Sequence, residues 1–184
     1  MQLNYIANAS APSSSGRTIP VIDPSDGQVF DEIQRSNAQD IDAAVHAARQ
    51  CHDAVWSKVS AAERGRLLMK LSAKVAEHAD ELAAIEQRDC GKPTRQAKAD
   101  ALALVRYFEY YAGACDKLHG ETIPYQDGYS VLTWREPHGV TGHIIPWNYP
   151  MQIFGRSVGG ALAAGNCCVV KPSEMTPSTT AMLA

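Results

Sequence analysis

The sequence predicts an α/β protein whose last third begins a parallel sheet. Two apolar segments, Val140 to Ile145 and Cys167 to Val170, flank a helix rich in small residues from Pro150 to Ala164. Strand, helix and strand at this spacing are typical of a βαβ unit with a right-handed crossover. Three long stretches with helical periodicity precede this unit, so we expect a helical part that leads into the sheet.

Composition favours a soluble globular chain. Of its 184 residues, 45% are hydrophobic and 20% are charged, which suits one buried core and argues against disorder. The net charge of -3 gives no basic excess, so we expect no nucleic-acid partner. No apolar run is long enough to cross a bilayer and no basic-apolar leader opens the chain, so we expect no membrane association. Five scattered cysteines suit reduced thiols in the cytoplasm.

The first 34 residues contain one clear hairpin signal. Residues 1–17 are rich in Ser, Ala and Asn without any period, and they predict a flexible tail. Strand-forming segments around Val21–Ile22 and Val29–Ile33 then flank Pro24-Ser-Asp-Gly27, a strong turn sequence. This order predicts a β-hairpin.

Three helices are expected next, and their ends carry capping signals. Ser60 and Glu63 form a capping box, in which each polar side chain satisfies a free backbone N–H of the other residue. Gly91 and Pro93 end the same helix, because Gly accepts a left-handed exit and Pro cannot continue a helix. Asn37 and Asp40 open the first helix, since short polar side chains cap free backbone N–H groups. The expected ranges are Asn37 to Val55, Ser60 to Gly91 and Thr94 to Leu118.

A second hairpin is predicted from Ile123 to Trp134, around Gln126-Asp-Gly128. It separates the helical part from the βαβ unit. We therefore divide the chain into a tail (1–17), a helical part (18–121), a hairpin (122–137) and a βαβ unit (138–184).

Unusual residues follow the first strand of the βαβ unit, at the end where doubly wound sheets bind ligands. The loop Pro146-Trp-Asn-Tyr-Pro150 is stiff, because both prolines fix their φ angles. A rigidly held Asn148 amide would be suited to donate to an oxyanion. The alternative is that Asn148 caps the following helix.

Lys171 and Glu174 follow the second strand. In nucleotide-binding βαβ units an acidic residue at this point accepts hydrogen bonds from ribose hydroxyls, and Lys171 could donate to the same sugar. The alternative is a solvated ion pair of little energetic value. Glycines 155, 159, 160 and 165 do not form the G-x-G-x-x-G fingerprint, so we interpret them as permitting close helix–sheet packing.

The stretch from Glu136 to Ala184 resembles the aldehyde dehydrogenase superfamily. The elements I-P-W-N-Y-P, A-L-A-A-G-N and V-K-P-S-E-x-T-P match its pattern in order and spacing. Weaker matches at Gly91-Lys-Pro93, Glu63-Arg64 and Asp23-Pro24 extend the resemblance over nearly all of the chain from Val21 onward.

The resemblance implies the N-terminal portion of a Rossmann-like cofactor-binding domain, with a helical lead-in and with hairpin 122–137 as an arm for homo-dimers or homo-tetramers. Members of the family oxidise aldehydes to acids. A cysteine thiolate attacks the aldehyde, the thiohemiacetal passes a hydride to the nicotinamide of NAD or NADP, and a glutamate activates water. NAD is the expected cofactor here, because the charge of Glu174 repels the 2′-phosphate of NADP. NADP is the alternative.

Carried over by position, Asn148 is implied to be the catalytic amide that holds the oxyanion. The residues implied to bind the cofactor are Ile145, Pro146 and Trp147 as a wall, and Lys171, Ser173 and Glu174 on the adenosine side.

Three family motifs are absent from these 184 residues: G-Q-x-C with the nucleophile, E-L-G-G with the base, and G-S-T-x-x-G. Cys167 and Cys168 lie in an apolar strand, where a thiol pKa rises, so we interpret them as structural. Cys51 and Cys115 belong to helix stripes and are assigned to the core. No metal site is expected, since no ligand set is complete.

We therefore expect an N-terminal fragment without its catalytic domain, inactive by itself, because the sequence ends inside a helix that has only begun. The alternative is a non-catalytic nucleotide-binding or oligomerisation module of the same family.

Overall fold

The computed structural model describes residues 1–184 as an α/β fold with six α-helices and eight β-strands. The helices are α1 (Ala38–Ala54), α2 (Ala61–Glu77), α3 (Ala79–Cys90), α4 (Thr94–Ala114), α5 (Pro150–Ala163) and α6 (Ser178–Met182). The strands are β1 (Asn4–Ile6), β2 (Ala9–Ala11), β3 (Thr18–Ile22), β4 (Val29–Gln34), β5 (Thr122–Ile123), β6 (Val131–Leu132), β7 (Val140–Ile144) and β8 (Cys167–Lys171).

The predicted βαβ unit is confirmed. Strands β7 and β8 pair in parallel, with Ile144 opposite Lys171 at the carboxyl end, and α5 connects them. The buried Asn166 side chain anchors the return of the chain into β8: its Oδ1 accepts from Gly139 N at 3.0 Å and its Nδ2 donates to Ala161 O at 3.1 Å. The turn after α5 is thereby tied to the start of β7.

The core lies between the helices and the inner face of this sheet. Helices α2, α4 and α5 supply most of it, and the rings of Phe108 and Phe154 meet edge-to-face with centroids 6.4 Å apart. Leu104 and Phe108 have no exposed surface at all. The helical layer therefore forms one apolar body on which the βαβ unit rests.

Both helix N-termini with strong signals are capped as the sequence suggests. Asn37 accepts backbone hydrogen bonds from Gln39 and Asp40, and Ser60 and Glu63 form the expected reciprocal box. The stretch expected as a single helix from Ser60 to Gly91 is instead two helices that meet at His78, whose φ of -105° and ψ of 14° leave the helical region. Apolar spacing continues across this junction, so the pattern alone carried no signal of the break.

Residues 4–11 form an antiparallel hairpin within the region predicted to be a flexible tail. Ala7 and Asn8 both have positive φ, 53° and 63°, as a two-residue hairpin turn requires. Gln2 N donates to Glu32 O at 2.7 Å, which ties the segment to β4. These stabilising contacts come from distant residues, so the local composition could not reveal them.

The two other predicted hairpins are present with different lengths. Strands β3 and β4 pair over Thr18–Ile22 with a register shift near Val21. Strands β5 and β6 contribute only two residues each, so most of hairpin 122–137 is irregular. Helix α4 ends at Ala114, four residues before the expected end.

Two glycines of α5 pack against helix α4, whereas we expected helix–sheet packing. A Cβ at Gly155 would lie 2.7 Å from Leu104 Cδ1, and a Cβ at Gly159 would lie 2.8 Å from Tyr111 Cδ2. Helices α4 and α5 can therefore approach this closely only because glycine has no side chain at these two positions. None of the helices is both long and apolar enough to span a membrane.

We expect Gly159→Ala to lower the thermal unfolding midpoint, although alanine favours helix. The added methyl would enter an occupied space beside Tyr111, and overpacking costs about 1–3 kcal/mol against about 1 kcal/mol of propensity gained. Gly113→Ala in α4 is the matched control, since no atom lies within 4 Å of its Cβ, and it should raise the midpoint. Equal effects of the two variants would contradict the packing argument.

Candidate functional site

The loop after β7 changes from buried to exposed within two residues. Ile145 is 1% exposed and belongs to the core, and its backbone N–H donates to Lys171 O at 2.9 Å. Ile145 therefore presents almost no surface, of side chain or main chain, to a bound molecule. Pro146 is exposed, and Trp147 exposes 61% of its surface, so these two residues offer side chains to a bound molecule.

Asn148 does not cap helix α5, so that alternative is wrong. The residue at the N-cap position is Tyr149, and no side chain accepts a hydrogen bond from the first turn. Asn148 is exposed, and its amide has no protein hydrogen-bond partner. The amide N–H groups are free to donate to a ligand.

The loop after β8 presents a cation and an anion together. Lys171 Nζ donates to Pro172 O at 2.8 Å and lies 3.6 Å from a Glu174 carboxylate oxygen, and both side chains are about half exposed. Ser173 is buried, and its Oγ accepts from Met175 N at 3.2 Å, which shapes the turn that carries Glu174. An exposed carboxylate beside an ammonium fits the hydroxyl groups of a nucleotide ribose, which need an acceptor and a donor.

Both loops begin at the carboxyl end of the sheet, because Ile144 and Lys171, the last residues of their strands, are opposite partners in the parallel pair. The predicted site residues are therefore brought together as two neighbouring groups, Pro146 to Asn148 on one loop and Lys171 to Glu174 on the other.

A buried charge cluster, which was not predicted from the sequence, lies directly under the first loop. Lys92 Nζ forms ion pairs with Glu86 and Asp100, the latter at 2.7 Å, and also donates to Asn148 O at 3.3 Å. The side chains of Glu86 and Asp100 are completely buried, and that of Lys92 is 10% exposed.

The two carboxylates of this cluster have different proton affinities. Burial raises the pKa of Glu86 to about 7, against the opposing effect of Lys92. Burial acts on Asp100 in the same direction, but hydrogen bonds from Lys92, Gln152 and Gln96 outweigh it and lower the pKa of Asp100. Negative charge therefore concentrates on Asp100.

A sequence signal for this cluster did exist. Glu86 follows Leu82 by four residues and Asp100 precedes Leu104 by four, so both carboxylates occupy positions on the apolar faces of their helices. Acidic residues are almost never fully buried unless they are paired. Their placement in an apolar stripe indicated a hidden cation, and Lys92 lies between them in the sequence.

Two further residues at the end of α3 contact the first loop and the start of α6. Cys90 Sγ lies 3.4 Å from Trp147 O, and Asp89 accepts hydrogen bonds from N and Oγ of Ser178, both at 2.8 Å. Burial raises the pKa of the Cys90 thiol to about 12, so it stays protonated and donates. Cys90 acts here as a hydrogen-bond donor, and a nucleophile would need the thiolate.

Cys115, Cys167 and Cys168 also lack activation. Burial raises the pKa of Cys167 to about 12 and that of Cys168 to about 11, in agreement with their structural interpretation. Burial raises the pKa of Cys115 too, and its side chain is in the core. Cys51 is exposed, so its assignment to the core was wrong: its position on α1 faces an open groove.

No three His, Cys, Asp or Glu side chains converge on a point where they could hold a metal ion. His143 is instead engaged by neighbours, with Nδ1 2.6 Å from Ser157 Oγ and Nε2 2.9 Å from Thr141 Oγ1.

Comparison with known proteins agrees with the resemblance seen in the sequence. The model of the aldehyde dehydrogenase family matches residues 11–184. Aldehyde dehydrogenase family 2 member B4, mitochondrial, of Arabidopsis thaliana is 47% identical over 169 residues, which are 91% of this chain and 31% of that protein. Retinal dehydrogenase 2 of Homo sapiens is 44% identical over 176 residues, which are 94% of this chain and 34% of that protein.

Solved structures show the same partial coverage. A Burkholderia cenocepacia protein described as an aldehyde dehydrogenase superimposes with a TM-score of 0.96 at 63% identity, over 98% of this chain and 38% of that one. PnpE in complex with nicotinamide adenine dinucleotide gives a TM-score of 0.95 at 39% identity, over 99% of this chain and 37% of that one. The chain thus spans about a third of the length of the proteins it matches.

The raised pKa of Glu86 predicts a pH dependence of stability. Between its ordinary value of 4.5 and about 7, the folded state keeps a proton that the unfolded state releases, so this group lowers stability as pH rises through that window. We expect the stability of the native chain relative to Glu86→Gln to fall by up to about 1.4 kcal/mol per pH unit there, and to stay level above it.

Thermal unfolding of both proteins at a series of pH values measures this difference. Glu77→Gln is the control, because the hydrogen bond from Lys74 lowers the pKa of Glu77 and its contribution changes only below about pH 4.5. A difference between native chain and Glu86→Gln that does not change from about pH 5 to about pH 7 would contradict the prediction.

Proposed function

The chain belongs to the aldehyde dehydrogenase family, and we propose that it forms the N-terminal part of an enzyme that oxidises an aldehyde to a carboxylic acid with NAD or NADP. The observation that carries this proposal is the pair of loops at the carboxyl end of the sheet. One loop offers an amide that is free of protein partners, and the other offers an ammonium and a carboxylate.

The second loop is suited to the adenosine half of the cofactor. The Glu174 carboxylate would accept hydrogen bonds from ribose hydroxyls, and Lys171 would donate to the same sugar. Ser173 supports the turn and keeps a hydroxyl hydrogen to donate. Pro146 and Trp147 supply exposed surface along the first loop, while Ile145 supports them from the core. Bound at this edge, NAD or NADP would supply the hydride acceptor.

Asn148 would act on the aldehyde oxygen. When a nucleophile adds to the carbonyl carbon, negative charge develops on that oxygen, and the amide N–H of Asn148 would donate to it. A fixed donor of this kind is worth about 2.7–4 kcal/mol of barrier, because it needs no reorganisation during the reaction. The motifs for the nucleophilic cysteine and the base glutamate are absent from these residues, and we propose that another part of the polypeptide supplies both.

Hairpin 122–137 would join subunits into a homo-dimer or homo-tetramer. Its aromatic side chains are exposed, Tyr125 by 67%, Tyr129 by 69% and Trp134 by 82%. Exposed aromatic residues on a projecting hairpin are typical of interfaces. A reducing compartment such as the cytoplasm suits the five free cysteines.

We expect Asn148→Ala in the full-length enzyme to lower kcat by about a hundredfold or more, because it removes the oxyanion donor. Asn148→Asp is a near-isosteric companion that also removes both N–H donors, and it should be at least as slow. The dissociation constant for NAD, measured by fluorescence titration, should stay within about twofold for both variants.

A loss confined to cofactor affinity would remove Asn148 from catalysis. Absence of aldehyde oxidation in the unmodified full-length protein, with NAD binding intact, would favour a non-catalytic nucleotide-binding module of the same family.

The charge of Glu174 predicts a preference for NAD. We expect Glu174→Gln to improve NADP binding relative to NAD by about tenfold, since it removes repulsion of the 2′-phosphate. Glu109→Gln on α4, which only breaks a surface pair with Arg106, should leave the ratio of the two dissociation constants unchanged. Tighter binding of NADP than of NAD by the unmodified enzyme would overturn this preference.

A further inference from the structure

We propose that Lys92 is a positioning residue for Asn148, and that the buried cluster of Lys92, Glu86 and Asp100 sets the backbone geometry of the loop that carries this amide. The inference rests on the oxyanion role proposed for Asn148, and it adds a second set of residues on which the reaction would depend.

All three N–H donors of the Lys92 ammonium are hydrogen-bonded. Its three N–H donors match three acceptors: a carboxylate oxygen of Glu86, Asp100 Oδ2 at 2.7 Å and the carbonyl oxygen of Asn148 at 3.3 Å. The ring of Tyr149 covers the same ammonium, with its centroid 4.8 Å away. The Lys92 ammonium therefore contacts the main chain of Asn148 and the side chain of Tyr149.

The carboxylates hold the first turn of α5, which directly follows the loop. Glu86 Oε2 accepts from Met151 N at 3.2 Å, and Asp100 Oδ1 accepts from Gln152 Nε2 at 2.7 Å. Four of the five consecutive residues from 148 to 152 are therefore bonded to, or packed on, one buried cluster.

The prolines alone leave this loop incompletely fixed. Pro146 and Pro150 restrict their own φ angles, and Pro150 also restricts Tyr149, but Trp147 and Asn148 retain their main freedom of rotation. These are the two residues whose carbonyl oxygens are held, by Cys90 and by Lys92. The hydrogen bonds act at the positions that proline does not constrain.

Stability alone explains the cluster poorly. Replacing a buried ion pair by apolar groups of similar size is often neutral or stabilising, so three buried charges are not an efficient source of folding energy. Placement of a reacting group is far more sensitive, since a displacement of about 1 Å can cost about a hundredfold in rate. We therefore infer that the cluster serves to position the Asn148 loop.

The test uses the full-length enzyme and the double variant Glu86→Gln/Lys92→Met. The assays are run above about pH 7, where Glu86 is ionised, so that the variant removes one negative and one positive charge and the net charge of the cluster is unchanged. The glutamine can still accept from Met151 N, but methionine cannot donate to Asn148 O. We expect kcat to fall about 10- to 100-fold with the dissociation constant for NAD within about twofold.

A mutant cycle with Asn148→Ala separates positioning from general damage. If the cluster acts through Asn148, adding the double variant to Asn148→Ala lowers kcat by less than about twofold further. Losses that multiply in full would overturn the inference. Lys98→Met is the control: this lysine on α4 pairs with Asp80 at the surface, and kcat should not change.

Lys92→Arg keeps the inference testable if the double variant does not fold. It retains the positive charge, but a planar guanidinium cannot reproduce the three-way contact of a compact ammonium. We expect the same lowering of kcat with unchanged NAD affinity, and the same cycle with Asn148→Ala; native kcat in Lys92→Arg would overturn the inference.

The two proposals fail in different ways. If Asn148→Ala alone leaves kcat intact, the proposed catalytic role of Asn148 fails. If Asn148→Ala lowers kcat while the cluster variants do not, only the positioning role of Lys92 fails.

Discussion

The burial of the Lys92 ammonium between two carboxylates connects the helical layer to the edge of the sheet. Glu86 belongs to α3, Asp100 belongs to α4, and the third acceptor is a carbonyl oxygen in the loop after β7. An unpaired charge in this position would be very costly, so the three elements must keep the spacing that satisfies all partners. The loop is placed by electrostatics, whereas apolar packing of α2, α4 and α5 places the helices below it.

The short segment from Asp89 to Lys92 extends this constraint to both halves of the candidate site. Asp89 holds the start of α6, which follows the loop of Lys171 to Glu174, and Cys90 holds Trp147 O in the other loop. The segment turns through Gly91 in the left-handed region, with a φ of 66°, and a Cβ there would lie 2.9 Å from Pro24 Cγ. Glycine is required at this point, because a side chain would be strained and crowded. One tight turn therefore relates the amide-bearing loop to the loop with the carboxylate.

Local signals in the sequence predicted local structure well. The caps at Asn37 and Ser60, the β3–β4 hairpin and the βαβ unit all depend on neighbouring residues, and the structure agrees with each. The N-terminal hairpin is tied to β4 through Gln2, a contact between residues far apart in the chain that periodicity cannot show. Apolar spacing continues across the His78 break, so it gave no signal there, whereas the buried cluster could have been found from its acidic residues in apolar stripes. The candidate site divides in the same way: its loop residues follow from the βαβ order, whereas the groups that hold the loops come from α3 and α4.

The free edge of β8 supports the proposal that these residues are the beginning of a larger domain. A groove of about 1260 Å³ runs along this edge, and it is lined by every residue of β8 together with side chains of α1 and α5, such as Ile41 and Phe154. Because successive strand residues point to opposite faces, lining by all of them means that the groove follows the edge. Parallel sheets are stable when helices cover both faces, and side chains of α1 and α5 line the groove beside β8. A further parallel strand beside β8 would therefore bury this groove between the two helices.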